Sequence, residues 1–306
     1  MGINIVAEAK NRSALARKGG AVKKPRTGNG VSEGRARVAC AAILLFCLTQ
    51  VSYAKPESVA YTRPVVNGIR PHVVTINLND PEVKVTLVVA RKGVGTSEPF
   101  RWMMKRTHPD AALTGTYFGV RGLLPTGTMI VDGELIHSGR VGSAIALTPF
   151  NEVTFVHSRP GWVKDWSGYE LVLRGGPSLV SKGKILLVPK AQGFRDRSLF
   201  TRRPRTAIGL TRHNKLLMVA VTRPVYLRQV AGVMKGLGAV EAVALDGGGS
   251  TALFYRGNFP VSTSRRLTNV IAVYSRGRAS SSVARTAPAT RSTPTAQVGK
   301  SGKPTT

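Results

Sequence analysis

One stretch of the sequence places a carboxylate, three glycines and two hydroxyls in direct succession, from Asp246 to Thr251. The apolar run 240–245 before it predicts a buried strand, and residues 252–255 after it predict a second strand. Consecutive glycines allow the backbone to approach another group closely, and successive N–H groups in such a turn form a concave nest for anions. The stretch therefore predicts an anion site with a carboxylate in it, and a flexible hairpin turn is the alternative.

Other classes of site are disfavoured by what the sequence lacks. The glycine stretch has no P-loop lysine and leads into a strand rather than a helix, and the Gly-x-Ser-x-Gly nucleophile elbow is absent. The two cysteines, Cys40 and Cys47, lie together in an apolar segment near the start of the chain. The histidines are scattered without the spacing of metal ligands, so the sequence predicts neither a metal site nor another cofactor. Those histidines are His72, His108, His137, His157 and His213.

The net charge of +30 over 306 residues is distributed unevenly. Residues 1–37 carry +7, residues 275–306 carry +6, and the middle of the chain carries the remaining +17. A middle this basic suits an anionic partner such as a phosphorylated glycan, an anionic membrane or nucleic acid, although an Arg-rich surface alone would give the same count. An aromatic content of only 6% and the export signal described next disfavour nucleic acid.

The first 54 residues have the composition of an export signal. A basic segment ends at Arg37, a 14-residue apolar run covers residues 38–51, and Ser52 and Ala54 supply small residues for a cleavage site after Ala54. Fourteen residues are fewer than the roughly 20 that cross a membrane as a helix. Export to the periplasm, the cell envelope or the medium is therefore expected, and an uncleaved anchor through residues 38–53 is the alternative.

The remaining chain predicts one α+β domain over residues 55–275 and a disordered basic tail, rich in Ser, Thr, Pro and Ala, over 276–306. Alternating β-branched runs predict a hairpin over 73–89, and an Asp-Gly turn predicts another over 125–136. Apolar residues at helical spacing predict a main helix over 225–237. We expect a mixed, largely antiparallel sheet packed around this helix.

Four segments then resemble the phosphodiester glycosidase family in order and spacing, over most of residues 70–275. They are Leu-Thr-Gly-Thr-Tyr-Phe at 113–118, Arg-Gly-Gly-Pro-Ser-Leu at 174–179, Arg-Thr-Ala-Ile-Gly at 205–209, and Ala-Leu-Asp-Gly-Gly-Gly-Ser-Thr at 244–251. This resemblance implies an exported or lumenal hydrolase that cuts a sugar 1-phosphodiester, frees the sugar and leaves a phosphomonoester. One position departs from the family pattern, because Thr114 stands where the family usually carries Asn.

The resemblance gives the candidate residues their expected roles. Asp246 would act as the nucleophile or as the base that activates water, and Arg205 would neutralise the phosphate through a bidentate contact. The leaving phosphate is a weak base, so a single carboxylate suffices where ordinary glycosidases use two. The expected substrate-binding residues are Gly247, Gly248, Gly249, Ser250, Thr251, Arg174, Gly175, Gly176, Thr114, Thr116 and Asn269.

Two alternatives remain open from the sequence. Asp246 orders only the glycine turn if another acid, such as Glu170 or Asp132, performs the chemistry. The whole domain is a non-catalytic module of the cell envelope if it only binds an anionic glycan. The sequence does not indicate the sugar, the aglycone or the oligomeric state.

Overall fold

The computed structural model describes residues 57–158 and 164–275, of which 46% lie in strands and 12% in helices. The predicted export segment over 1–54 and the predicted tail over 276–306 lie outside these residues. Two α-helices are described, α1 at Phe100–Thr107 and α2 at Leu227–Gly236. The strands are β1 Val59–Thr62, β2 His72–Asn77, β3 Lys84–Val89, β4 Ala111–Thr114, β5 Gly127–Val131, β6 Glu134–Arg140, β7 Ser143–Leu147, β8 Val153–Val156, β9 Leu171–Gly176, β10 Ser178–Ser181, β11 Lys184–Ile185, β12 Arg203–Thr211, β13 Lys215–Val225, β14 Ala239–Leu245, β15 Leu253–Tyr255, β16 Asn258–Val261 and β17 Asn269–Tyr274.

These strands form three sheets, and every strand pairing among the described residues is antiparallel. The first sheet has the order β1-β2-β13-β12-β14-β10-β11, the second has the order β16-β15-β4-β17-β3, and the third has the order β6-β5-β9-β7-β8. The antiparallel character was expected. The expectation of one sheet around one main helix was too simple, because the described chain is richer in strands and divides them among three sheets.

One predicted hairpin is confirmed and the other is wrong. The Asp132-Gly133 turn joins β5 and β6, and both turn residues have positive φ, 51° and 79°, as such a turn requires. In contrast, β2 pairs in the first sheet and β3 pairs in the second, so the turn at 79–81 carries the chain from one sheet to the next. The chain does turn between the two strands, but a local turn signal does not reveal which strands will become partners.

The three sheets enclose one shared apolar interior. Side chains from all three sheets contribute to it, including Ile208, Val243 and Leu245 from the first, Leu113 and Ile271 from the second, and Ile145 and Leu173 from the third. Because successive strand residues point to opposite faces, the intervening Ala207, Ala242 and Ala244 face a second cluster beneath α2. Both faces of β12 and β14 are thus buried, which explains their nearly continuous apolar sequence.

The two helices cover outer faces of the sheets. Helix α2 buries Leu227, Val230, Ala231, Val233 and Met234 against the first sheet, and the chain turns away at Gly238 with φ of 87°. Helix α1 buries Phe100, Met103 and Met104 against the second sheet. Its opposite face leaves Trp102 exposed.

The described chain crosses between sheets at four places, and three of these crossings meet one another. One crossing leads from β9 to β10 through Pro177, and another leads from β14 to β15 through the glycine stretch. The third follows β4, where the Gly115 carbonyl accepts a hydrogen bond from the Asp246 N–H at 3.0 Å. A Cβ atom on Gly176 would lie 1.5 Å from the Ala244 carbonyl oxygen, so the backbones at this junction are in direct contact.

We predict that Gly176→Ala lowers the free energy of unfolding by about 3 kcal/mol or more, because the backbone of Ala244 cannot move aside without opening two sheets. Chemical denaturation measures this change. Gly232→Ala is the matched control, since its Cβ would meet nothing closer than 3.4 Å and alanine favours the helix. Equal stability of both variants would show that the junction accommodates a methyl group at position 176, and would contradict this prediction.

Candidate functional site

The candidate site is built around Asp246, the first residue after β14. Its N–H is held by Gly115, and its carbonyl oxygen accepts a hydrogen bond from the Thr206 hydroxyl at 2.5 Å. The following residues turn back in a 3₁₀ turn at Gly248–Ser250, in which Gly248 has φ of 60°. The Asp246 side chain is therefore fixed from both sides at the end of a buried strand, while part of it remains exposed to solvent.

Burial raises the pKa of Asp246 to about 6, even though several neighbours favour its charged form. Those neighbours, which lower the pKa, are the Ser250 hydroxyl, the Gly247 N–H and the positive charge of Arg265. The Gly247 N–H donates to the carboxylate at 2.9 Å, whereas the negative charge of Asp196 raises the pKa further. Because desolvation raises the pKa by more than these donors lower it, Asp246 titrates close to neutral pH, where a general base works best.

Three hydroxyls in this part of the chain are buried and make no hydrogen bond of normal geometry: Tyr117 Oη, Ser250 Oγ and Thr251 Oγ1. Tyr117 lies close enough to Asp246 and Arg205 for both charges to act on its pKa, which burial raises well above its ordinary value. Buried polar groups in a folded protein normally have partners, so a cluster without them indicates atoms that a ligand or ordered water satisfies.

Arg205 is buried, and its guanidinium binds backbone carbonyl groups. Nη2 donates to Thr201 at 2.6 Å and to Ser198 at 2.9 Å, with longer contacts to Leu199 and, through Nε, to Val225. Pairing of Thr206 with Leu245 places Arg205 opposite Asp246 on the same face of the sheet. No ion pair joins these two side chains in the described parts of the chain. Phosphate binding by Arg205 stays a prediction.

Arg174 and the glycines that follow it hold the junction together. The Arg174 guanidinium donates to the Gly142 carbonyl at 2.8 Å and to the Ser158 hydroxyl at 3.0 Å, and burial lowers its pKa. A Cβ on Gly175 would lie 1.6 Å from Thr116 Oγ1, a contact as close as the one found at Gly176. These residues bring the third sheet against the segment that holds Asp246.

Thr114, Thr116 and Asn269 also bind protein atoms near Asp246. The Thr114 hydroxyl donates to the Ser250 carbonyl at 2.5 Å and accepts from the Ala252 N–H at 2.9 Å, so it clamps the end of the glycine stretch. The Thr116 hydroxyl donates to the Arg174 carbonyl, and its N–H donates to the Asn269 side-chain oxygen at 2.9 Å. Direct contact of these three side chains with a substrate stays a prediction.

Sequence reasoning missed two charged residues that act on the pKa of Asp246, Arg265 and Asp196, and the buried Tyr117, whose own pKa the charge of Asp246 raises. Arg265 lies in the loop before β17, and its guanidinium stacks on the Phe118 ring, 4.6 Å from the centroid. Asp196 is exposed and caps the 3₁₀ turn Arg197–Phe200, where hydrogen bonds from Ser198 lower its pKa. Tyr117 was in view, because it lies within a segment that resembles the family, but nothing in the sequence connected Arg265 or Asp196 with Asp246.

The alternative acids lie elsewhere in the fold. Asp132 and Glu170 both form ion pairs with Lys84, at 3.0 Å and 2.9 Å. Lys84 pairs with Tyr274 at one end of β17, whereas Asn269, near the candidate site, lies at the other end. Five strand residues separate the two ends by about 17 Å. The geometry therefore favours Asp246 over these two acids.

A Ser-His-Glu array lies near the third sheet but is unsuited to nucleophilic catalysis. His157 contacts Ser178 Oγ at 2.7 Å and Glu241 Oε2 at 2.8 Å. Ser178 is 0% exposed, and its hydroxyl also contacts Ser143 and Gln192. A hydroxyl that is enclosed and bonded in this way cannot reach a substrate, so the array supports the fold.

Two further classes of feature were sought in residues 57–158 and 164–275. No group of three or more His, Cys, Asp and Glu side chains there is arranged to hold a metal ion. None of the helices described there has the length and hydrophobicity needed to cross a membrane.

Comparison with known families gives the class of the protein. Residues 107–274 match the phosphodiester glycosidase family, and the chain therefore belongs to that family. The match begins near the end of α1 and includes Asp246, the glycine stretch and every residue of the junction described above. The resemblance inferred from four short segments is thus confirmed. A comparison with curated proteins gave no match.

Several solved structures share the fold, and three of them illustrate the likeness. A hypothetical protein from Synechocystis has a TM-score of 0.62 and 18% identity over 72% of this chain and 62% of its own length. The catalytic domain of zebrafish N-acetylglucosamine-1-phosphodiester alpha-N-acetylglucosaminidase, auto-inhibited by its pro-peptide, has a TM-score of 0.59 and 19% identity over 73% of this chain and 86% of its own. A protein of Burkholderia pseudomallei described as exported has a TM-score of 0.53 and 14% identity over 81% of this chain and 82% of its own.

The raised pKa of Asp246 predicts a pH-dependent effect of Asp246→Asn on stability. Because the folded pKa of about 6 lies above the ordinary 3.8, the folded state binds the proton more tightly than the unfolded chain. Wild-type stability should therefore fall as pH rises from about 4 to about 6, and Asn removes this loss. We expect the variant to be more stable by about 1–3 kcal/mol at pH 8 and little changed at pH 4. Urea unfolding at both pH values measures this, and a difference independent of pH would contradict it.

The charges around Asp246 predict opposite effects of two substitutions. Arg265→Gln removes a cation that lowers the pKa of Asp246, so that pKa should rise. Asp196→Asn removes an anion that raises it, so it should fall, while Asn can still cap the 3₁₀ turn. NMR titration of ¹³C-labelled aspartate carboxyls measures both changes. Shifts of the Asp246 pKa in the same direction in both variants would contradict this assignment of opposite effects to the two charges.

Proposed function

We propose that this protein is an exported hydrolase that cleaves a sugar 1-phosphodiester, releasing the sugar and a phosphomonoester. The observation that carries the proposal is the half-enclosed Asp246 carboxylate, which has donors from Gly247 and Ser250 beside it and the buried, unpartnered Tyr117 hydroxyl within electrostatic range. Membership of the phosphodiester glycosidase family supports the reaction class. Likeness to a protein described as exported and the apolar run over 38–51 support export.

The chemistry requires one carboxylate rather than two. When the bond between C1 of the sugar and the phosphate oxygen breaks, the leaving group is a phosphomonoester whose pKa is about 6. Such a weak base departs without a general acid, so the enzyme needs only to supply the attacking oxygen at C1. Asp246 either attacks C1 itself or takes a proton from the attacking water. Its carboxylate must be ionised in both cases, which holds above pH of about 6.

The surrounding groups would bind the two parts of the substrate. Gly248 and Gly249 begin a 3₁₀ turn, and their N–H groups therefore lack acceptors within that turn, so they suit phosphate oxygens. Arg265 supplies a positive charge close to Asp246 that is open to solvent. The unpaired hydroxyls of Tyr117 and Thr251, together with the Ser250 hydroxyl beside the carboxylate, would bind sugar or phosphate oxygens, and Arg205 would stabilise the loop around them.

A binding module without catalysis is the second candidate. One observation favours it: the Thr114 hydroxyl, at the position where the family usually carries Asn, is fully occupied by backbone groups of the glycine stretch. A family member that uses this position for a sugar would therefore have an interaction that is missing here. The experiment below separates the two candidates.

We predict that the described domain releases sugar from a chromogenic sugar 1-phosphodiester, and that Asp246→Asn lowers kcat/KM by about 10³-fold or more. Water labelled with ¹⁸O should place its oxygen on C1 of the sugar, because the bond from carbon to oxygen is the one that breaks. Glu134→Gln, at an exposed strand position, is the control and should leave turnover unchanged.

Three outcomes would contradict this assignment in different ways. Label found in the phosphate would mean cleavage between phosphorus and oxygen, and hence another reaction. Near-normal turnover by Asp246→Asn would remove Asp246 from the mechanism. Binding of sugar phosphodiesters without turnover, across a panel of sugars, would establish the binding module.

A further inference from the structure

A second concave region lies outside the site of Asp246, between helix α1 and the loop that precedes it. This cleft has a volume of about 900 Å³, and Arg91, Lys92, Lys105, Arg106 and Arg266 contribute positive charge to its lining. Among the described residues that line it, Glu98 is the only acid. A cleft with such an excess of one sign focuses the electric field and attracts anions.

Glu98 leaves most of this positive charge free. Its carboxylate pairs with Arg106 at 2.9 Å and accepts the Arg91 N–H at 3.0 Å, and its backbone pairs with Leu267. Arg266 donates to the Ser97 carbonyl at 2.7 Å. Among the described residues, Arg91, Lys92, Lys105 and Arg266 form no ion pair with an acid. These four cations are therefore available to a ligand.

An exposed indole stands among these cations. Trp102 is 67% exposed, although the neighbouring Phe100, Met103 and Met104 of α1 are buried. A large aromatic side chain in this position gives a flat apolar surface on which the C–H face of a sugar ring can pack. Positive charge alone would suit any polyanion, but a ring face between cations suits a chain in which sugars alternate with phosphates.

A second hollow lies beside the cleft, on the side of the candidate site. A neighbouring hollow of about 360 Å³ shares Trp102 and Arg266 with the cleft and adds Ser264 and Arg265 to the lining. The Ser264 N–H donates to the Gly249 carbonyl at 3.2 Å, and Arg265 acts on the pKa of Asp246. The hollow beside the cleft is thus lined by residues that contact the glycine stretch or act on the pKa of Asp246.

We propose that this cleft binds the continuation of the substrate, a phosphate-bearing glycan chain whose reactive sugar 1-phosphate lies at Asp246. The inference rests on the proposed function and narrows the substrate to a polymer or a long oligomer. A sugar ring packs on Trp102, and phosphates along the chain bind Arg91, Lys92, Lys105 and Arg266. Nucleic acid is less suited, because Trp102 is the one aromatic side chain among the described residues that line the cleft, whereas strand-binding proteins use several.

The test compares a polymer with a small substrate. The probes are a hexose polymer linked by phosphodiester bonds, the same sugars without phosphate, a single-stranded oligonucleotide of equal charge, and the chromogenic sugar 1-phosphodiester. Binding is measured by calorimetry on Asp246→Asn protein, so that turnover does not interfere. The cleft variants are Trp102→Ala and the triple variant Arg91→Ala, Lys92→Ala, Lys105→Ala. Arg212→Ala, Lys215→Ala, Arg228→Ala removes the same charge from exposed positions elsewhere.

We expect each cleft variant to weaken binding of the phosphodiester polymer by about tenfold, within the range measured for aromatic and cationic contacts to charged ligands. In protein with Asp246 intact, kcat/KM for the small chromogenic substrate should stay unchanged. The control triple variant should bind the polymer like the parent. Thermal unfolding of every variant verifies that folding is retained.

The outcomes separate failure of the cleft from failure of the proposed function. Equal weakening by the control triple variant, or equal binding of the oligonucleotide, would overturn the cleft as a specific site. Turnover of the small substrate together with unchanged polymer binding by the cleft variants would also overturn it and leave the hydrolase intact. Polymer binding that depends on the cleft, without turnover of any probe, would overturn the hydrolase instead.

Discussion

Direct contact between backbones at the meeting point of three sheets determines where Asp246 lies. Gly176 touches the Ala244 carbonyl, and Gly115 touches the Asn269 side chain, with no room for a Cβ at either position. Contacts this short leave each strand end only one position, because moving one would separate another pair. The carboxylate at the end of β14 is thereby held in place by backbone atoms, which have far less freedom than side chains.

The same junction makes ionisation of Asp246 costly. Its neighbours include a hydroxyl, an N–H group and a cation, yet burial still raises the pKa from 3.8 to about 6. That difference corresponds to about 3 kcal/mol, a substantial part of the 5–15 kcal/mol that stabilise a typical domain. A group that costs stability and has unsatisfied hydroxyls beside it is characteristic of a site for chemistry rather than of a supporting framework.

Local patterns in the sequence were sufficient to predict several helices and strands and to single out Asp246. Helical spacing predicted α2, the Asp-Gly turn predicted β5 and β6, and the strand before Asp246 was evident from its apolar run. Partnership between distant strands was not predictable, since the turn at 79–81 resembles a hairpin whether or not its strands pair. The effects of Arg265 and Asp196 on Asp246 were not predictable for the same reason. Their effect on Asp246 arises only when loops far apart in the chain are brought together by the sheets.

The structure gives Arg205 contacts that its sequence segment did not indicate. At the start of an apolar strand, Arg205 was expected to bind the phosphate directly, and that role stays a prediction. In the structure its guanidinium holds the carbonyls of Ser198, Leu199 and Thr201, and so fixes the turn that Asp196 caps. By fixing this turn, the buried Arg205 also helps to position Asp196, whose negative charge raises the pKa of Asp246. Arg265, which stacks on the Phe118 ring, is an exposed cation that acts on the pKa of Asp246, and its neighbour Arg266 lines the cleft. Two adjacent arginines thus connect the reacting acid with the surface that would hold the rest of an anionic chain.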